Sequence, residues 1–216
     1  MLIDQSIKEF RMARTRGDLF EARRQKILDG ALEVFARKGF ARATNVDIAH
    51  AAGLGSAALI YHYFEDKRDL LDHVMQERVP ILQLLASPAG LMDLEPRDLM
   101  TRFATSLLVA LETPQAAAFM KVMFGEAARD PEFARMYGRL GPLRAIEFLS
   151  TYLQTQMDAG KLRMADPAAA ARCFLGPLII YVLSREMLHL PDAEGLTLDT
   201  MAETCVSVFL DGLRVD

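Results

Sequence analysis

Tyr61, His62 and Tyr63 stand side by side, two phenols and an imidazole in a stretch with little charge. Their O–H and N–H groups donate well to phosphate oxygens and lack the long flexible stem of lysine. Ser56, Ala57, Ala58 and Leu59 come just before them. A serine hydroxyl can bond a base edge or a phosphate, and alanine or leucine can touch a thymine methyl. Lys67 adds a positive charge a few residues later. Thr44 and Asn45 stand where the free N–H groups of a helix start can hold a further phosphate. The chemistry on offer is a non-covalent grip on a polyanion. No catalytic set competes with it. His62 has no Ser or Cys nucleophile motif beside it, and there is no Gly-rich phosphate loop, no HExxH spacing and no nucleophile elbow. Neither a metal nor a cofactor is expected. The plainer role for such aromatics is core packing, and Phe64, four residues after Ile60, is read that way.

These side chains act only if helices hold them in place. Leu28, Ala31, Leu32 and Phe35 fall at i, i+3, i+4 and i+7, one apolar face of a helix over 21–38. Gly39 ends it. Thr44 and Asp47 form a Thr-x-x-Asp capping box for a short second helix, with Val46, Ile48, Ala49 and Ala52 expected on its buried side. Gly53 stops that helix, Leu54-Gly55 make the turn, and Ser56 caps a third helix to about Tyr63. Residues 44–63 thus have the dimensions of a helix-turn-helix, whose second helix enters the major groove while the first crosses the backbone. Glu65-Asp66-Lys67 restart the chain into a fourth helix reaching roughly Ala86. Thr113-Pro114, Asp130-Pro131, Gly160 and Asp166-Pro167 then punctuate helices near 96–112, 114–129, 131–159 and 167–189. Residues 191–195 are read as a loop, and Thr197 begins a last helix to about Leu213. With no apolar/polar alternation of period two, the fold class is all-α, about nine helices. Its parts are a basic leader over 1–20 (Lys8, Arg11, Arg14, Arg16), partly disordered, a three-helix head over 21–66 and a helical body over 67–216.

Several features recur together in one known pattern. They are Phe35-x-x-x-Gly39-Phe40, Thr44 before Val46-Asp47-Ile48-Ala49, Ala52-Gly53, Ile60-Tyr61-His62-Tyr63-Phe64 and Lys67-x-x-Leu70-Leu71. Residues 27–71, which hold them all, resemble the DNA-binding head of TetR/AcrR-type transcriptional regulators. Two departures stand out. One residue more than is common in the family separates Gly53 from Tyr61, the surplus falling in Leu54-Gly55, and Ala58 stands where the family often has Gly. A looser turn is expected, with the register of groove-facing side chains open to a shift of one residue. Glu126–Glu132, Ala159–Arg163 and Ala165–Pro167 resemble junctions in the ligand-binding half of such regulators. The resemblance implies a cytoplasmic, homodimeric repressor that leaves a near-palindromic operator when a small effector binds the body. A protein-interaction module of the same fold that no longer binds DNA is the alternative, and a helical enzyme a more remote one.

The rest of the chain fits that frame. Residues 1–67 hold 11 Lys/Arg against 9 Asp/Glu, and residues 68–216 hold 14 against 20. A mildly basic front on an acidic body suits a nucleic-acid-binding head. Phe103, Phe119, Met120, Met123, Phe124, Phe148 and Tyr152 are candidate effector contacts, since Met and Phe suit irregular apolar cavities, although such residues also make plain core. They point to a hydrophobic or aromatic effector. Residues 167–189 are apolar nearly all round, so that helix must be covered on every side. Phe174, Leu178, Tyr181 and Val182, with Met201, Cys205, Val208 and Phe209 of the last helix, are candidates for a four-helix dimer interface, against packing within one subunit. Cys173 and Cys205 lie in apolar patterns without metal spacing and are expected to be buried, reduced thiols of a cytosolic protein. The N-terminus lacks the order of a signal peptide. The longest apolar stretch, 174–183, is half a membrane span, so no membrane partner is expected.

Overall fold

A computed structural model describes the backbone of residues 2–86, 88, 90–109 and 113–215, and the side chains of these from residue 17 onward except Glu194. Lys8, Arg11, Arg14 and Arg16 therefore lie outside the described side chains. The helices are α1 (Leu2–Lys38), α2 (Asn45–Ala51), a 3₁₀ helix (Ala57–His62), α3 (Lys67–Arg78), α4 (Pro80–Ala86), α5 (Pro96–Leu108), α6 (Pro114–Ala127), α7 (Pro131–Leu140), α8 (Pro142–Asp158), α9 (Pro167–Glu186), α10 (Pro191–Gly195) and α11 (Leu198–Gly212). No strand occurs among the described residues. Seven of the nine prolines open a helix, where the missing N–H would have had no partner. This is what raises the helix number above nine: Pro80 and Pro142 each divide a helix expected to be continuous, and Pro191 starts a short one in an expected loop. The side chains of Thr113, Asp130, Asp166 and Thr197 accept backbone N–H groups just ahead of α6, α7, α9 and α11.

The chain divides into two compact units, Met1–Val74 and Met75–Asp216. In the first, α1 packs on α2 and α2 on the 3₁₀ helix. Ile27, Val34, Phe35, Ile48, Ile60 and Phe64 are buried there. Val46 is not on the buried side of α2 as expected. It is 69% exposed, because Ile48, Ala49 and Ala52 define the inner face and a residue two positions before Ile48 points about 200° away from it.

In the second unit α8 and α9 pair, and α11 lies against α5 and α9. Phe103 stacks on Phe148 (6.4 Å) and meets Phe174 edge-on (6.2 Å), and Phe174 touches Phe209 (5.1 Å). α9 has the length and mean hydropathy of a membrane crossing, yet here it packs against α8, α11, α10 and α5.

Candidate nucleic-acid interface

The turn after α2 is closed by two bonds, Leu54 N–H to Ala49 O (2.8 Å) and Gly53 N–H to His50 O (3.1 Å). This double closure needs a left-handed residue between helix and turn. Gly53 supplies it at φ 67°, a conformation strained for any residue with a Cβ. These bonds tie the chain down as far as Leu54. Ser56 then sits extended, and its Oγ accepts the Ala58 N–H (3.2 Å). That leaves the Ser56 O–H free to donate.

From Ala57 the backbone winds as a 3₁₀ helix, with Leu59 N–H on Ser56 O (3.3 Å) and Tyr63 N–H on Ile60 O (2.9 Å). Three residues per turn bring side chains i and i+3 into line. Exposure follows that period. Ala57, Ile60 and Tyr63 form an inward row, while Ala58 with Tyr61 and Leu59 with His62 form two exposed rows. Tyr61 is 61% exposed. Tyr63, expected at the interface, instead lays its ring 4.4 Å from Phe20. Phe64 fixes the end of the segment: its ring lies 5.4 Å from His73 and beneath the Arg24 guanidinium (5.6 Å), and an Arg24 N–H donates to His73 Nδ1 (3.2 Å).

Lys67 does not have the role expected of it. Its ammonium donates to Phe40 O (2.8 Å), Ala41 O (3.3 Å) and Ala43 O (3.0 Å) and lies over the Phe40 ring (4.6 Å). Three donors meet three carbonyls, so its hydrogens are committed to the α1–α2 loop. Lys67→Met is expected to lower the stability of the head by about 2 kcal/mol, read in a thermal melt. A pure phosphate contact would leave the melt unchanged.

Thr44 is likewise occupied. Its hydroxyl donates to Asp47 Oδ2 (2.8 Å) and accepts the Asp47 N–H (3.2 Å), and its own N–H donates to Asp47 Oδ2 (3.2 Å). Asp47 thus fills the anion position at the start of α2, and Asn45 beside it is half-buried. The Lys38 ammonium, 2.6 Å from Asp47 Oδ1, and then the Thr44 hydroxyl hold the Asp47 carboxyl at about 2, below its ordinary 3.8. A depressed folded pKa stabilises above the unfolded value and is lost as pH falls through the folded one. The head should therefore lose stability between pH 4 and 2, and Asp47→Asn should flatten that part of an acid melt.

The body holds a cavity of about 390 Å³ that is partly open to solvent, within the ~300–1,000 Å³ that small-ligand sites occupy. Of the expected contacts, Phe103, Phe119, Met120 and Phe124 line it. Met123 is fully buried core. Tyr152 donates its hydroxyl to Leu94 O (2.6 Å), and burial, with Glu95 and Asp98 nearby, pushes its pKa up. Phe148 lines a separate groove with Arg144 and Glu147. The sequence reading missed Met75, Leu107, Tyr137, Ile146, Leu175 and Ile179. They come from five helices, and only packing decides that they face one another.

Residues 27–74 match the profile of bacterial regulatory proteins of the tetR family, and residues 98–212 match that of the AefR-like transcriptional repressor C-terminal domain. The chain is a TetR-family transcriptional regulator. Members are DNA-binding transcription factors and not enzymes. The regulator is 29% identical over 175 residues to the HTH-type transcriptional repressor Rv1474c of Mycobacterium tuberculosis, covering 81% of this chain and 87% of that one. Its fold is similar to that of SmeT, repressor of a Stenotrophomonas maltophilia efflux pump, solved with triclosan (TM-score 0.69, 23% identity, 90% of this chain and 93% of that one). It is also similar to FadR of Bacillus subtilis, solved with stearoyl-CoA (TM-score 0.69, 17% identity, 88% and 99%).

In the regulator's last helices the expected contact set needs correction. Phe174, Leu178, Tyr181, Val182 and Cys205 are buried within the subunit. The Cys205 thiol donates to Phe174 O (3.5 Å), and burial raises its pKa. The Tyr181 hydroxyl donates to Leu196 O (2.7 Å). Met201 and Phe209 are half-buried, and Val208 is 69% exposed. The outward face between these helices is lined by Cys173 and Pro177 of α9 with Thr204 and Val208 of α11. Cys173 is therefore exposed, not buried.

Proposed function

We propose that this TetR-family regulator is a cytoplasmic, homodimeric repressor that leaves a near-palindromic operator when a small hydrophobic or aromatic effector fills the body cavity. The period-three exposure of the 3₁₀ helix carries the DNA half of this reading. It turns Ala58, Leu59, Tyr61 and His62 outward beside the free Ser56 hydroxyl, on a segment anchored by Ile60 and Phe64. Short side chains at its start suit close approach to base edges, while the phenol and imidazole suit phosphates, which position rather than specify. The apolar walls of the cavity support the effector half, as do triclosan bound to SmeT and stearoyl-CoA bound to FadR. Effector binding releases the operator by favouring the conformation with the lower DNA affinity.

The test uses an operator selected from a random duplex library. Wild-type affinity should fall steeply with salt. Tyr61→Ala should lose about 1 kcal/mol in each head, roughly 30-fold for a dimer, with the salt slope unchanged because no charge is removed. Operator affinity untouched by Tyr61→Ala would overturn the assignment of the 3₁₀ helix. A folded dimer without duplex binding at low salt would favour the protein-interaction reading.

A further inference from the structure

The body holds three tyrosines, Tyr137, Tyr152 and Tyr181. The hydroxyls of Tyr152 and Tyr181 each donate to a backbone carbonyl, at 2.6 and 2.7 Å. The Tyr137 hydroxyl has no hydrogen-bond partner among the described residues, and Tyr137 lines the 390 Å³ cavity. Its ring is held from two directions, stacked on Phe133 (6.0 Å, 7° between planes) and edge-on to Phe124 (6.1 Å, 75°). The O–H is thus an oriented donor on a rigid ring. Burial pushes its pKa up to about 12, so it remains an O–H donor throughout the physiological range. Tyr137 is half-buried, so in the ligand-free protein its O–H can bond water at the cavity wall, and a bound ligand that displaces that water has to supply the acceptor.

The other walls restrict the charge of that ligand. No Asp, Glu, Lys or His lines the cavity among the described residues. Arg172 is the one charged residue there. It is exposed, and its Nη1 donates to Ala168 O (2.9 Å). An ammonium placed among these walls would lose its hydration without gaining a counter-charge, and the one counter-charge a carboxylate could meet is the exposed Arg172, already engaged with Ala168 O. We infer that the cavity takes a neutral, mostly apolar ligand carrying one hydrogen-bond acceptor, a carbonyl or ether oxygen, which receives the Tyr137 O–H. This rests on the cavity being the effector site and adds the residue that discriminates among effectors.

Three matched probes test it: 2-acetylnaphthalene, 2-ethylnaphthalene and 2-naphthoate. The chain has no tryptophan, so probe fluorescence reads binding directly to the full-length protein. Wild type should bind the acetyl probe about tenfold more tightly than the ethyl probe, and the naphthoate most weakly. Tyr137→Phe should erase the acetyl preference and leave the ethyl Kd unchanged. It should not lower the melting temperature of the ligand-free protein, since both ring contacts persist and a partnerless hydroxyl is removed. An acetyl preference that survives in Tyr137→Phe, or naphthoate as the tightest probe, would overturn the inference while keeping the cavity as a binding site. A lower melting temperature in Tyr137→Phe would overturn it by giving the hydroxyl a structural role. If wild type binds none of the three, the effector-cavity reading falls together with it.

Discussion

Gly30→Ala should unfold the head at markedly lower temperature, although alanine favours a helix over glycine by about 1 kcal/mol. Gly30 lies on α1 where α2 crosses it. A Cβ there would meet Ala52 N at 2.8 Å, Ile48 O at 3.1 Å and Ala51 C at 3.2 Å. All three are backbone atoms, so no side chain can swing aside, and α1 and α2 must separate. Overpacking of this kind costs about 1–3 kcal/mol where neighbours can adjust, and here they cannot. A net loss of about 2 kcal/mol is expected, roughly 10 °C for a unit of this size. Gly17→Ala is the control on the same helix. A Cβ at Gly17 meets nothing within 4 Å, so that change should leave the melt unchanged or raise it. Operator affinity should fall with Gly30→Ala, because the α1–α2 contact fixes the helix on which the 3₁₀ segment packs. Equal melts for the two variants would refute the close crossing.

Neither the crossing at Gly30 nor the outward rows of the 3₁₀ helix could be read from the chain alone, for different reasons. Helix starts were legible because proline and a preceding Thr or Asp act locally: Thr113-Pro114, Asp130-Pro131 and Asp166-Pro167 each begin a helix as expected. The capping box at Thr44 and the cap at Ser56 were legible on the same ground. Gly141-Pro142 and Val79-Pro80 carry the same proline signal but no capping side chain, and the divisions there were missed. Over six residues, 3₁₀ and α windings share one apolar pattern, so the row that holds Tyr63 inward emerges only from the backbone. Lys67 was read as a phosphate contact because a lysine at a helix start looks free to reach outward. Its three carbonyl partners lie 24 to 27 residues earlier in the chain. The cavity was half legible. Phe and Met marked its region, but Tyr152, Met123 and Phe148 differ from true wall residues only in which way their helices are turned.

The same limit applied to α9, where an all-round apolar sequence contains no pattern saying which side a neighbour covers. Exposure now separates the two sides, and it yields the second large prediction. Val208 is apolar and 69% exposed on α11, across a groove from the exposed Cys173 and Pro177 on α9. A twofold interface uses the same patch on both subunits, so Val208→Arg places an unpaired guanidinium on each side of it. Buried without a counter-charge, that pair should dissociate the dimer, and the molar mass in solution should fall to that of one 24.1 kDa chain. Operator affinity should fall further than with any single phosphate contact. On the proposed near-palindromic operator, two heads of one dimer engage the second half-site at a high effective concentration, a gain of roughly 10²–10⁴ that separated chains lose. Phe174→Ala is the contrast. It removes a fully buried ring from the subunit core and should cost about 3–5 kcal/mol of stability, so it should lower the melting temperature steeply, whereas Val208→Arg should leave the single-chain fold intact. A Val208→Arg protein that remains dimeric with unchanged operator affinity would place the partner on another face.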